Sequence, residues 1–150
     1  MRDGKRVRVI GAGLAGCEAA WQLARRGVGV LLSEMKPKSF SPAHSSEAFG
    51  ELVCSNSLRS DSVQNAAGLL KEEMRRLDSL IMQVADQVRV PAGGDFAGDR
   101  EAFARAVTAK PRSHPQVMTV RQRGLKVPLT GGGFGFATGP LPLPLLWERV

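Results

Sequence analysis

The first apolar run along the chain is short. Residues 7–10 read Val-Arg-Val-Ile, with Arg8 the only charge. A β-branched run this continuous predicts a strand buried on both faces. Gly11-Ala12-Gly13-Leu14-Ala15-Gly16 follows at once. The pattern then changes to a helical period, with Cys17, Ala20, Trp21 and Ala24 along one side. Arg25 and Arg26 fall in the last turn and Gly27 ends it, which is favourable helix C-terminal chemistry. Residues 28–32 predict a second strand, closing in Ser33-Glu34. The first 34 residues therefore read as a complete β-α-β unit.

Beyond it, residues 36–50 read as a polar loop with prolines at 37 and 42. Residues 64–86 predict the longest helix, because Leu70, Met74, Leu77, Ile81 and Val84 recur at 4-3-4-3 spacing as one apolar stripe. Residues 88–91 predict a strand and residues 92–98 a loop. Asp99 is a good N-cap for a helix carrying Phe103 and Val107. Residues 117–120 predict another strand, and the Gly-rich residues 131–140 lead into a short strand and turn. There is no internal repeat. Prolines 140, 142 and 144 prevent a regular helix at the end. An α/β dinucleotide domain is expected to continue past that point, so residues 1–150 read as the N-terminal part of such a domain, a fragment of a longer chain.

Composition narrows the class. A length of 150 residues fits one domain, and 43% apolar content supports a real core. Two cysteines make a disulfide framework improbable and point to a reducing, cytoplasmic setting. No apolar run reaches the ~20 residues a membrane helix needs, and the start does not read as a signal peptide. The net charge of +7 is compatible with a polyanionic partner without specifying one. Residues 110–150 carry six basic side chains against one acidic, which on charge alone reads as a solvated face. Tyrosine is absent and no RNA-recognition signature is present.

The chemistry begins at the glycines. G-x-G-x-x-G is weak alone, but here a strand precedes it, a helix follows, and a second strand ends in Glu34, 18 residues beyond Gly16. Gly11 allows the tight turn, Gly13 lets the backbone approach a pyrophosphate, and Gly16 lets helix and strand pack closely. Ala12, Leu14 and Ala15 complete the loop, and the helix N-terminus offers free N–H groups to phosphate. Glu34 can accept hydrogen bonds from a ribose diol, which favours a dinucleotide without a 2′-phosphate; FAD and NAD both qualify. Ala137-Thr138-Gly139 is familiar late in FAD-binding domains of the two-dinucleotide-fold type, which adds Thr138 and Gly139 as candidate cofactor contacts.

Other sites find less support. Cys17, Cys54, His44 and His114 lack metal-ligand spacing, so no metal is expected. GGGFGFATG lacks the Gly-Lys-Ser/Thr ending of a P-loop. His44 reads as a solvated loop residue. Cys17 reads as packing, a small hydrophobe on the sheet side of the first helix. Cys54, in Glu-Leu-Val-Cys-Ser-Asn-Ser-Leu, is balanced. Free cysteine is usually buried and inert, yet Ser55, Asn56 and Ser57 can donate to a thiolate and lower its pKa.

Longer stretches break that balance. VIGAGLAG-EAAW at 9–21, EMKP at 34–37, SPAH at 41–44, ELVCSNSLR at 51–59, NAAGLLKEEMRRLDS at 65–79, VPAGG at 90–94, DREAFARAVT at 99–108 and ATGPL at 137–141 occur together. With them the chain resembles the N-terminal part of the TrmFO family, the folate- and FAD-dependent tRNA (uracil-5-)-methyltransferases, over residues 7 to about 141. The resemblance implies an α/β fold, an incomplete Rossmann-like FAD-binding domain of the two-dinucleotide-fold (GidA-related) type. It implies a cytoplasmic enzyme that methylates C5 of the T-loop uridine of tRNA. FAD, 5,10-methylenetetrahydrofolate and NADH or NADPH would serve it; DNA and membrane would not be partners. Gly11 to Gly16 would hold FAD. Cys54 would be catalytic, either as a thiolate adding to uracil C6 or by serving a methylene-bearing flavin. Two alternatives stand beside this: an MnmG-like wobble-uridine modifying flavoprotein, sharing AGCEAA at 15–20, and an inactive truncated FAD-binding fragment. Departures include Cys17 where small residues such as Ser are usual, Asp95 and Gly98 in a normally apolar segment, and a tail after Leu141 that lacks the expected continuation.

Overall fold

The computed structural model describes residues 6–53, 55, 57–93 and 95–122. Cys54, Thr138 and Gly139, and the expected strand within 131–140, lie outside the described residues. The β-α-β unit forms as expected: β1 (Val7–Ile10), α1 (Leu14–Arg25) and β2 (Val30–Glu34), with β1 and β2 parallel and Val7 level with Val30. The strand β6 (Val117–Arg121) lies parallel on the other side of β2, giving the order β1-β2-β6. Between β2 and β6 the chain builds β3 (Ser57–Ser60), α2 (Ala66–Arg76), α3 (Leu80–Gln87), β4 (Arg89–Val90), β5 (Asp95–Gly98) and α4 (Arg100–Ser113). The strands β3, β5 and β4 form a second, antiparallel sheet.

The core sits between the parallel sheet and the helices α1, α3 and α4. Val30 and Leu32 of β2, Cys17, Ala20 and Ala24 of α1, Leu80 and Val84 of α3, and Phe103 and Val107 of α4 are all buried. Full burial of each larger side chain contributes about 1.5–3 kcal/mol. Small residues on α1 let the helix lie close to the sheet. The expectation of a strand buried on both faces fails for β1: Val7 is 43% exposed, and Val9 and Ile10 are half-buried. Among the described residues β1 pairs only with β2, so it lies at a sheet edge.

The single long helix over 64–86 is also corrected. It is two helices, and the longest helix is α4, with 14 residues. Asp78 adopts a left-handed φ of 57°. Its N–H donates to the Arg75 carbonyl and the Ser79 N–H to the Met74 carbonyl, the paired bonds that close a helix C-terminus. The Ser79 hydroxyl oxygen then accepts from the Met82 N–H and caps α3. Glu18 reaches across from α1, its carboxylate accepting from the Ser79 hydroxyl and the Leu80 and Ile81 N–H groups. A carboxylate at this end also complements the α3 dipole. Leu70 and Leu77, expected in the stripe, are 56% and 68% exposed, whereas Ile81 and Val84 are buried.

The inward face of α2 is instead mixed: Met74 packs against the core, beside buried polar groups. Its buried residues are Gly68 and Lys71. A Cβ on Gly68 would collide with the Ser62 backbone, so glycine is needed for this approach. Lys71 donates from Nζ to the Ser60 and Ala67 carbonyls, at 2.9 and 3.0 Å. Burial pushes its ammonium pKa down, reinforced by Arg75 and Arg59 and opposed by Asp61 and Asp95. Arg75 binds Asp61 and Asp86, and Arg89 also binds Asp61. Both guanidinium groups lie over the Phe96 ring, 5.5 and 4.8 Å from its centre. The expected loop over 92–98 is therefore part strand: Asp95–Gly98 forms β5, pairs with β3 and β4, and buries Phe96 and Ala97. Asp99 caps α4 through the Ala102 N–H, as its position implies.

Candidate functional site

The site grows from the turn between β1 and α1. Gly11 has φ 89°, a conformation that favours glycine, and its N–H donates to the Ser33 carbonyl at 2.8 Å. Gly16 packs the helix onto that turn: a Cβ there would collide with the Gly11 carbonyl. Gly13 differs. It is the N-cap of α1 in an extended conformation, and a Cβ there would meet no atom within 4 Å. The chain's own packing therefore does not require glycine at 13. The N-terminus of α1 has no side-chain cap and no acidic residue in its first turn. Its leading N–H groups lack intrahelical partners and carry partial positive charge. Leu14 is half-buried and Ala15 exposed at this end. An open, uncapped helix N-terminus beside an unobstructed glycine fits the diphosphate of a dinucleotide.

Glu34 closes the other side. It is buried at the end of β2, with Oε2 accepting from the Ala12 N–H at 2.7 Å and Oε1 from the Lys36 N–H at 3.0 Å. A carboxylate offers about four lone-pair positions, so hydroxyl donors can still be accepted. The structure thus brings Gly11 to Gly16 and Glu34 together. Cys17 lies beneath them, fully buried, its Sγ donating to the Ala12 carbonyl at 3.4 Å. Burial, with Glu34 and Glu18 adding and Lys36 opposing, pushes its thiol up to about 12. It is a packing residue, as expected.

The loop after β2 returns to the same place. The Gly50 N–H donates to the Ala12 carbonyl at 2.8 Å, and Phe49, fully buried, donates from its N–H to the Thr108 hydroxyl. A buried charge pair braces the loop. The Lys36 ammonium donates to the Ala48 carbonyl at 2.6 Å and lies 3.5 Å from Glu51 Oε2, both side chains less than a tenth exposed. Burial pushes the Glu51 carboxyl up. Hydrogen bonds from the Ser45 and Ser46 N–H groups and the Ser45 hydroxyl, with the Lys36 charge, outweigh this and hold it below the usual carboxylate range. Nothing in the spacing of Lys36 and Glu51 announces this pair; EMKP and ELVC place both in notable stretches without pairing them.

A cavity of about 440 Å³ opens between Leu14 on one side and residues 51–53, Ser55 and residues 57–59 on the other. Val53 and Ser55, which flank Cys54, thus share a cavity with Leu14, the first residue of α1. Arg59 also lines the cavity, with a left-handed φ of 65°. Motif reading missed Arg59, although it closes the stretch VCSNSLR. His44 lies apart, its Nδ1 2.6 Å from the Ser41 hydroxyl oxygen. Among the described residues no cluster of three metal-ligating side chains occurs, and no helix is long and apolar enough to cross a membrane.

Comparison with known proteins bears on the fold and the family. Of solved structures, GidA of Aquifex aeolicus superposes with a TM-score of 0.60 at 18% identity, covering 78% of this chain and 19% of that one. The likeness shows a shared Rossmann-type α/β fold. The methylenetetrahydrofolate–tRNA-(uracil-5-)-methyltransferase TrmFO of Geobacter sulfurreducens is 55% identical over 144 residues, 96% of this chain and 33% of that protein. The protein of the same name from Lactobacillus delbrueckii subsp. bulgaricus is 56% identical over 97% of this chain and 33% of its own length. The chain spans about a third of the length of these relatives. The family model for glucose inhibited division protein A matches residues 6–132, most of the chain. The chain belongs to the glucose inhibited division protein A family, and its relatives above 50% identity include TrmFO proteins.

Proposed function

We propose that the chain supplies the FAD-binding N-terminal portion of a TrmFO-type tRNA (uracil-5-)-methyltransferase. The observation that carries this is the open N-terminus of α1, whose first residue Leu14 shares one cavity with the segment flanking Cys54, in a chain more than half identical to proteins of that name. The N–H groups at the start of α1 hold the diphosphate, Gly13 leaves it room, and Glu34 accepts from the ribose hydroxyls. Thr138 and Gly139 are assigned further contacts by the resemblance alone. Bound there in reduced form, FAD would supply the hydride that completes the methyl group, with NADH or NADPH as the reductant and 5,10-methylenetetrahydrofolate as the carbon source.

Cys54 is assigned the covalent role. Uracil C5 is a poor nucleophile, and addition of a thiolate at C6 gives an enolate with carbanion character at C5. That carbon can then attack the one-carbon electrophile; loss of the C5 proton expels tetrahydrofolate and leaves an exocyclic methylene, and hydride addition to that methylene with loss of the thiolate from C6 restores the ring. The substrate is tRNA, at the T-loop uridine, and the setting is the cytoplasm. Names of the relatives do not favour the wobble-uridine alternative or the inactive-fragment reading. The test joins this chain to the remaining two thirds of a relative and measures methyl transfer to unmodified tRNA together with the visible flavin spectrum. Cys54→Ala is expected to abolish transfer and retain flavin; full transfer in that variant refutes the covalent role. A colourless wild-type protein that takes up no added FAD refutes the cofactor.

A further inference from the structure

We propose that Arg59 is a binding residue for the dinucleotide, its guanidinium neutralising the diphosphate held at the N-terminus of α1; this rests on the FAD reading above. Leu14, the first residue of α1, and Arg59 line the same cavity, so Arg59 borders the space into which the N-terminus of α1 opens. The rest of the lining is nearly uncharged: Leu14, Leu52, Val53 and Leu58 are apolar and Ser55 and Ser57 are neutral. Glu51 is the other charge, and its carboxylate is already engaged by Lys36, Ser45 and Ser46. Among the described residues the Arg59 guanidinium has no carboxylate partner and no hydrogen bond, whereas Arg75, Arg76, Arg89 and Arg105 are each paired with an acid. A cation exposed in a cavity with no anion of its own suits a phosphate ligand, and a guanidinium can bind phosphate through two parallel N–H donors.

The backbone supplies an unusual control. At φ 65° an arginine is strained and a glycine is not. Arg59→Gly therefore removes the guanidinium without straining the backbone, and Arg59→Lys keeps a positive charge at the same position. The experiment titrates FAD into the wild-type, Arg59→Gly and Arg59→Lys chains, following quenching of flavin fluorescence, with thermal unfolding recorded in parallel. A charge-assisted contact with phosphate is worth about tenfold to a hundredfold in affinity. The expected result is that Arg59→Gly weakens FAD by that factor while unfolding at or above the wild-type temperature, and that Arg59→Lys recovers part of the loss. FAD affinity unchanged in Arg59→Gly overturns the proposal. Equal losses in Arg59→Lys and Arg59→Gly also overturn it. If the wild-type chain takes up no FAD, the cofactor reading fails and this inference with it; if only the variants behave as wild type, the cofactor reading stands.

Discussion

The glycine turn and the module around α2 both depend on a glycine that lets backbone approach backbone, yet they are held by opposite means. Gly16 sits against the Gly11 carbonyl, over a core of Cys17, Ala20, Ala24, Val30 and Leu32. Gly68 sits against Ser62, but around it lie the buried Lys71 and the partly exposed ion pairs of Arg75 and Arg89 with Asp61, while Leu69, Leu70 and Leu77 face outward. Hydrophobic period tracks burial where a helix lies on a sheet. Where a helix docks on a turn through carbonyls and ion pairs, the period holds only in part: Met74 packs inward, while Leu70 and Leu77 do not.

The largest test separates the glycines. Gly16→Ala has no position for its Cβ clear of the Gly11 carbonyl, so a loss of about 3 kcal/mol or more is expected in urea unfolding. Gly13→Ala, with open space, should stay within about 1 kcal/mol of wild type in the same assay. Equal losses would mean that packing sets both positions.

Arg75→Met tests the charged module. It strips Asp61 and Asp86 of a shared partner, and since these groups are partly exposed the expected cost is about 1–2 kcal/mol. Burial raises the Asp61 carboxyl pKa, but Arg75 and Arg89 outweigh it and hold it below the usual carboxylate range. The stability this provides is present above the unfolded value near 4 and is lost as pH falls through the lower folded value. Unfolding midpoints taken from pH 6 down to 2 should therefore fall less steeply in Arg75→Met, and an unchanged slope would remove Asp61 from the account.

A smaller effect lies at the alkaline end. The folded Cys17 thiol, near 12, ionises later than the unfolded one near 8.5. Its contribution is intact below the unfolded value and disappears as pH rises toward the folded one. Cys17→Ala should flatten the decline in stability between about pH 9 and 11, read by denaturant titration. Smallest of all, Leu77→Lys should change stability by no more than about 0.5 kcal/mol, because the side chain is 68% exposed. A loss of 2 kcal/mol or more there would restore the single apolar stripe along 64–86.

Legibility followed the same divide. Residues 7–34 could be read because strand, turn, helix and strand each carry their own local signal. The break at Leu77-Asp78-Ser79 could not, because it depends on Glu18, Gln22 and Arg25, which reach across from α1. The strand β5 was hidden by its glycine-rich setting and by Phe96, whose partners Arg75 and Arg89 are distant in sequence or of a type read as solvated. In the site, the glycines and Glu34 were legible from spacing. Lys36, Glu51 and Arg59 were not, since their importance lies in which charges are already paired. Cys54 stood balanced between packing and chemistry on its neighbours alone, and only the resemblance tipped it.

Glu34 has one more consequence. Its two oxygens are held by the N–H groups of Ala12 and Lys36, so its rotamer is fixed during folding. A ligand hydroxyl arriving there meets an acceptor whose torsional freedom has already been surrendered. The entropic cost of ordering that side chain falls on the folding equilibrium and is absent from the binding equilibrium. For the dinucleotide proposed above, the turn would in this sense be preorganised, with no rearrangement of this carboxylate to subtract from the hydrogen bonds it accepts.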